Sequence, residues 1–308
     1  MSTYDKRMGQ WTCRIDDGFE ITPLSSSADD LKAQIDRLTP EGSTSIDTGA
    51  KWGLALLDPS AQGPVSSLIS EGIIDPAFRG RPHPHKSQNN MKVLVVMTDG
   101  KNDDEFLLRP EYASGNTNVY RFVGGNGEGP YFTAESPEQW RQDDNRNPYG
   151  ETYFYAIHPA GNDRFWDNKN LKDHPSYKQY GNYITEKNLT WPELWNEMSP
   201  LYYGYHIVGR QYNYSWYWDS IAENEAEKIH TRVLPSVKDY RLRNICNAAR
   251  QAGIVTYTIG MDVTERNSLE ILKECASTEA HYFDVDGMEV QTAFDMIAAS
   301  ISMLRLTK

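Results

Sequence analysis

Between Met91 and Gly100 the chain carries an unbroken apolar run, Val93 to Met97, that ends in Thr98-Asp99-Gly100. Apolar residues without polar alternation predict a parallel strand buried on both faces. The glycine turn then puts Asp99 at the strand's carboxyl end, where open α/β sheets place their ligands. Upstream, helical spacing dominates. Leu31, Ile35 and Leu38 recur behind a capping Ser27 and the acidic pair Asp29 and Asp30, which predicts a helix from Ser27 that Pro40 helps to stop. The loop from Glu41 to Ser45 leads into a second helix, with Ile46, Ala50, Gly53, Leu54 and Leu57 inward and an end near Asp58-Pro59. The stretch from Ser60 to Asn90, rich in Pro, Gly and His, reads as a connection.

The last third alternates the two periods. Leu242, Ile245, Cys246 and Ala249 mark a helix face closed by Gly253, and Ile254 to Ile259 is a β-branched strand. Leu269, Leu272, Cys275 and Ala276 mark another helix, His281 to Val285 a short strand. Val290, Ala293, Phe294, Ile297, Ile301 and Leu304 form the stripe of a closing helix. Strands alternating with helices predict an α/β fold with a mostly parallel sheet covered on both faces. Lys101 to Pro235 behaves differently, being rich in Tyr, Trp, Asn, Gly and Pro, with helical periodicity only near Trp191 to Met198 and Ser220 to Leu234. A structureless loop of that length does not fit inside a compact domain, so an inserted subdomain is expected over 102–235, between a first part at 1–101 and a second at 236–308. Its aromatic runs, Tyr202 to His206 and Tyr212 to Trp218, suit either a stacking surface for carbohydrate or protein, or the subdomain's own core.

Composition narrows the partners. The chain has 308 residues, a formal net charge of -12 and 39% apolar residues, which suits a folded protein and argues against nucleic acid or an anionic membrane as the main partner. No stretch reaches the roughly 18 consecutive apolar residues of a membrane span, and Met1 to Gln10 lacks the apolar core of a signal peptide. The three cysteines, Cys13, Cys246 and Cys275, do not form a zinc pattern. Cys246 and Cys275 fall on two predicted helices flanking one strand, which leaves open either a bridge between them or a pair of buried thiols.

Thr44 and Asp99, at adjacent strand ends, offer one hydroxyl and one carboxylate to a hard divalent cation such as Mg²⁺, with waters completing the shell. Asp103-Asp104-Glu105 offers charge behind such a cation, a face for a basic partner, or a solvated loop. Seven histidines, at positions 83, 85, 158, 174, 206, 230 and 281, sit among acidic residues, so a metal-dependent hydrolase working from the insertion is the alternative function. Their spacing matches no triad or zincin helix, and His83-Pro84-His85 reads as a solvated loop. Gly124 to Gly129 reads as a turn rather than a phosphate cradle, since no buried strand precedes it.

Gly42-Ser43-Thr44, the helix containing Trp52-Gly53, and Val95 to Gly100 resemble the second and third metal-site segments of a von Willebrand factor A domain. Leu38 to Thr44, Lys51 to Leu57, Met97 to Gly100, Cys246, Thr256 to Gly260, Cys275-Ala276-Ser277 and Ile301 to Leu306 are together similar to the TadG-like proteins of Flp (tight-adherence) pilus assembly. The resemblance implies a doubly wound, mostly parallel, Rossmann-like α/β sheet whose edge holds Mg²⁺ in a metal-ion-dependent adhesion site, with Thr44 and Asp99 as ligands. In that family an Asp-x-Ser-x-Ser motif after the first, central strand completes the site. Here nothing before Thr44 reads so, and Ser25-Ser26-Ser27 has no aspartate two residues before Ser25. The order of the blocks implies a chain that starts after that strand, either because strand and anchor are encoded upstream of Met1 or because the site is degenerate. The first is favoured, since loss of a central strand exposes its neighbour's apolar edge. The function implied is non-enzymatic: binding and assembly with protein partners of the pilus or envelope machinery, in the periplasm or cell envelope. A Cys246–Cys275 bridge would be a structural staple.

Overall fold

The computed structural model describes residues 20–38, 43–88, 90–123, 131–134, 154–156, 164–166, 185–208, 218–286 and 289–306. Its longer helices are α1 (Ala28–Arg37), α2 (Ile46–Leu57), α3 (Gln62–Ser70), α4 (Trp191–Glu197), α5 (Trp218–Ile229), α6 (Pro235–Gln251), α7 (Arg266–Cys275) and α8 (Val290–Leu306). Its strands are β1 (Val93–Thr98), β2 (Glu105–Leu108), β3 (Asn116–Val123), β4 (Tyr131–Ala134), β5 (Phe154–Ala156), β6 (Arg164–Trp166), β7 (Thr185–Thr190), β8 (His230–Val233), β9 (Val255–Met261) and β10 (Tyr282–Val285). Two compact units emerge: Phe106–Arg232 forms the body of one, and Asp17–Glu105 with Val233–Lys308 makes the other. Among the described residues no helix is long and apolar enough to cross a membrane.

The discontinuous unit carries the α/β fold. Its sheet has the order β1-β9-β10, every pair parallel, with Val93 opposite Val255, Thr98 opposite Gly260 and Tyr282 opposite Thr258. Parallel neighbours need crossovers, and helices supply them on both faces. On one face Ile46 and Ala50 of α2, Leu242, Cys246 and Ala249 of α6, and Ile271 and Cys275 of α7 bury Leu94 and Val96 of β1. On the other, Ala293 and Ile297 of α8 cover Tyr257 and Ile259 of β9.

Local chemistry sets the boundaries. Ser27 caps α1 by accepting from the Asp30 N–H, and Gly253 closes the turn after α6 at φ +74°, a conformation natural to glycine. Cys246 of α6 and Cys275 of α7 form a disulfide, with Cα atoms 5.0 Å apart.

Four expectations are corrected here. The β1 run is not buried on both faces: Val95 and Met97 are 37% and 49% exposed, because α8 covers β9 and reaches β1 only at Val93. The apolar stripe of α1 is likewise uncovered among the described residues, with Ile35 65% exposed. Phe294 of α8 faces outward, beside the buried Ala293. The Ser60–Asn90 connection contains α3, whose Val65 and Ile69 pack with Ile74 in a satellite core. Gly63-Pro64 reads as a breaker in sequence, yet proline is tolerated in the first turn of a helix.

Phe106–Arg232 is built from antiparallel pairs. β3 is central in β4-β3-β7, and β5 pairs with β6. Thr190 and Glu193 form a capping box at the start of α4, and a three-residue helical turn at Pro200–Tyr202 runs on into a π-helix, Tyr203–Val208. The core joins Val119 and Leu189 of the sheet to Leu194, Trp195, Met198, Tyr202, Tyr203, Ile207 and Ile229. Tyr202 and Tyr203 therefore belong to this core rather than to an exposed stacking surface. The run from Tyr212 to Tyr217 lies outside the described residues. β2 and β8 pair with each other, and the Arg109 N–H donates to the Ile229 carbonyl over 2.9 Å, so chain entering and leaving this region runs side by side.

Candidate functional site

At the carboxyl end of β1 the Asp99–Gly100 turn is held by the Gly100 N–H, which donates to Thr98 Oγ1 over 3.2 Å. Thr44 lies against that turn. A Cβ added to Gly100 would sit 3.4 Å from Thr44 Oγ1, an ordinary van der Waals distance, so the threonine hydroxyl and the turn lie in close contact. The structure thus brings the two sequence-predicted ligands to one rim, with Asp99 exposed and Thr44 half-buried. No hydrogen bond or ion pair engages the Asp99 side chain among the described residues.

What fixes the rim is a buried polar network that the sequence reading missed. Ser45 makes no side-chain cap on α2; instead the Ile46 N–H donates to Asn102 Oδ1 over 2.8 Å, a cap delivered from 56 positions along the chain. Asn102 Nδ2 donates to Asp239 Oδ1 over 2.9 Å, and Asn267 Nδ2 donates to Asp239 Oδ2 over 2.8 Å. The Asp103 N–H donates to the Thr44 carbonyl over 3.0 Å. Lys238, only 1% exposed, donates from Nζ to that same carbonyl over 3.0 Å and to the Asp103 carbonyl over 2.6 Å. Strand end, α2, α6 and α7 are thereby tied together.

A signal for Lys238 was present in the sequence. It precedes the buried Leu242, Cys246 and Ala249 at helical spacing, so a charged residue occupied the apolar stripe of α6. Nothing in the sequence pointed to Asn102, because its partner is a remote helix terminus.

The acidic run after the turn is not simply solvated. Asp103 and Asp104 are half-buried, and Glu105 pairs with Arg241 at 3.3 Å, which also approaches buried Asp47 at 3.9 Å. On the rim, Glu265 accepts a hydrogen bond from Lys101 over 3.1 Å and thereby holds its ammonium above the usual lysine range.

The donor set of the described residues does not fit a resident metal. Among the described residues no cluster of three or more His, Cys, Asp or Glu side chains is arranged to hold one. Thr44 and Asp99 give one hydroxyl and one carboxylate, too few for the near-octahedral oxygen shell of Mg²⁺ without water or another molecule.

The histidines whose side chains are described do not converge either. His83 is exposed. His85 is not a solvated loop residue: its Nε2 lies 3.2 Å from Asp58 Oδ2, and its Nδ1 lies 3.3 Å from Lys92 Nζ. Hydrogen bonds from Ser60, and then from His85, hold the Asp58 carboxyl down at about 2, while burial lowers Lys92. His230 packs on Phe106 with ring centroids 4.9 Å apart, and His281 on Tyr257 at 4.5 Å; burial lowers both imidazoles. His158, His174, Cys13 and the Gly124–Gly129 turn lie outside the described residues, as does the side chain of His206.

Together these features define an α/β protein with a parallel sheet, helices on both faces and a polar rim at the carboxyl end of β1. No family model and no curated protein matches the chain. Among solved structures it is similar to the vWF domain of a type V pili tip protein from Porphyromonas gingivalis, with 17% identity over 89% of this chain and 72% of that one, at a TM-score of 0.33.

Proposed function

We propose that the chain is a non-enzymatic binding and assembly protein of the bacterial cell envelope, related to pilus assembly or adhesion and TadG-like in kind. One observation carries this reading: Thr44 sits against the Asp99–Gly100 turn at the carboxyl end of a parallel strand, as the sequence resemblance implies. The exposed Asp99 carboxylate and Thr44 hydroxyl offer a partner protein charge and hydrogen bonding on a rigid frame, which sets specificity and register more than raw affinity. The adhesion site is incomplete as a metal site, so any Mg²⁺ would take most of its ligands from water or the partner. The Cys246–Cys275 disulfide supports a periplasmic or surface location, since such bridges persist in oxidising compartments.

The test is made in the organism that encodes the chain. Asp99→Ala combined with Thr44→Val should lower surface pili or adhesion by about tenfold, as expected for loss of one contact worth ~1.4 kcal/mol. Electron microscopy gives the pilus count, and immunoblotting gives the abundance of the variant. Normal piliation and adhesion at normal abundance would sink the reading.

A further inference from the structure

We infer that the ammonium of Lys238 is the cation that organises the Thr44–Asp99 rim, so that the two loops are assembled without a bound metal. The starting point is the disagreement between the site and the resemblance: among the described residues the oxygen donors for a resident metal are too few, yet the rim loops are locked together.

Three observations converge on Lys238. First, it is 1% exposed in the first turn of α6, where the helix dipole disfavours a positive charge, and the carboxylate of the next residue, Asp239, is engaged by Asn102 and Asn267. A buried ammonium is tolerated only where strong acceptors replace its water. Second, the acceptors it finds are the carbonyls of Thr44 and Asp103, one on each rim loop, at 3.0 and 2.6 Å. Third, the Thr44 carbonyl also accepts from the Asp103 N–H at 3.0 Å, so both of its lone pairs are engaged. Lys238 and the Asp103 amide close a small ring of hydrogen bonds between the loops, and Asn102 closes a second at Ile46.

A divalent ion gathers oxygen atoms from separate loops by its charge. Lys238 does the same with one positive charge, through backbone carbonyls, so neither the exposed Asp99 carboxylate nor the half-buried Thr44 hydroxyl is used to hold the loops. Lys238 is therefore a positioning residue: it acts on a partner only through the placement of Thr44 and the Asp99 turn. The inference stands on loop order rather than on pili, so its failure is distinguishable from failure of the proposed function.

The experiment is segment-resolved hydrogen exchange on the full chain. In the unmodified protein, exchange over 43–48 and 98–105 should be the same in Mg²⁺ and in EDTA. Lys238→Met keeps the volume and removes the charge, and should speed exchange in those segments by about tenfold while β9 stays protected. Lys238→Ala supplies a second arm, in which n-propylammonium should restore protection and 1-propanol at equal concentration should not. Protection in the unmodified protein that depends on Mg²⁺ would overturn the inference, as would unchanged exchange in Lys238→Met. If Lys238→Met does not fold, the Lys238→Ala arm decides: recovery with the ammonium alone supports the inference, and equal or absent recovery overturns it.

Discussion

The parallel unit and the Phe106–Arg232 unit bury their sheets with different materials. In the parallel unit, Leu, Ile, Val and Ala at helical spacing fill the space between α2, α6 and β1, and a disulfide joins α6 to α7. In the other unit, the centre is Trp195 stacked on Trp191 at 5.2 Å, with Tyr203 edge-on at 5.8 Å and the Trp195 indole N–H donating to the Tyr112 carbonyl over 2.8 Å. Aliphatic layers are built from many small, repeated contributions, so the loss of one is spread. An aromatic centre concentrates area and hydrogen bonding in a few residues, so a single truncation is local and severe.

That contrast can be broken most directly at Trp195. Trp195→Ala should destabilise the Phe106–Arg232 unit by about 3–5 kcal/mol and leave protection in β1 and β9 unchanged. Hydrogen exchange resolved by segment measures both, and equal loosening of the two units would end the comparison. Next in size is the disulfide. Its cysteines are 29 positions apart, and Cys246→Ser with Cys275→Ser should cost about 3–4 kcal/mol, felt in the parallel unit alone. Urea unfolding with and without reductant checks the amount, and a loss appearing in β3 or β7 would contradict the assignment.

The smallest effect separates the units by pH. Glu193 is held at about 2, first by the hydrogen bond from Lys187 and then by those from the Thr190 backbone and hydroxyl. Its folded value is depressed, so its contribution is fully present above the ordinary value of 4.5 and is lost as pH falls toward about 2. Because its side chain is 38% exposed, solvent screening holds the contribution to no more than about 1 kcal/mol. Glu193→Gln should therefore cost that small amount at neutral pH, and the difference from the unmodified protein should vanish through the same acid window. A difference that persists at pH near 2 would mean that the glutamine breaks packing rather than charge.

Sequence periodicity was enough for the parallel unit's framework, because a parallel sheet between helices writes its burial into repeats of 2 and 3.6. It placed α1, α2, β1, α6, β9, α7, β10 and α8. It overstated burial where the pattern depends on what lies opposite: Val95, Met97 and Ile35 are apolar by sequence and uncovered among the described residues. The supporting network was far less legible. Asn102 caps a helix from 56 positions away, and no local pattern encodes such a partner. Lys238 did leave a trace, a charge on an apolar stripe, which is the kind of local contradiction that marks a working site. In the aromatic unit the α4 period was readable, whereas the π-helix at Tyr203–Val208 has no sequence period of its own.

The pairing of β2 with β8 has an evolutionary consequence. Paired strands run about 4.8 Å apart, so the polypeptide that departs for the aromatic unit returns almost to its starting point. Such a junction asks little of the sequence between its two ends. Any module whose termini are neighbours satisfies it, and a short turn would satisfy it as well. The stretch between Phe106 and Arg232 can therefore change in length or sequence without moving the paired strands that bracket it.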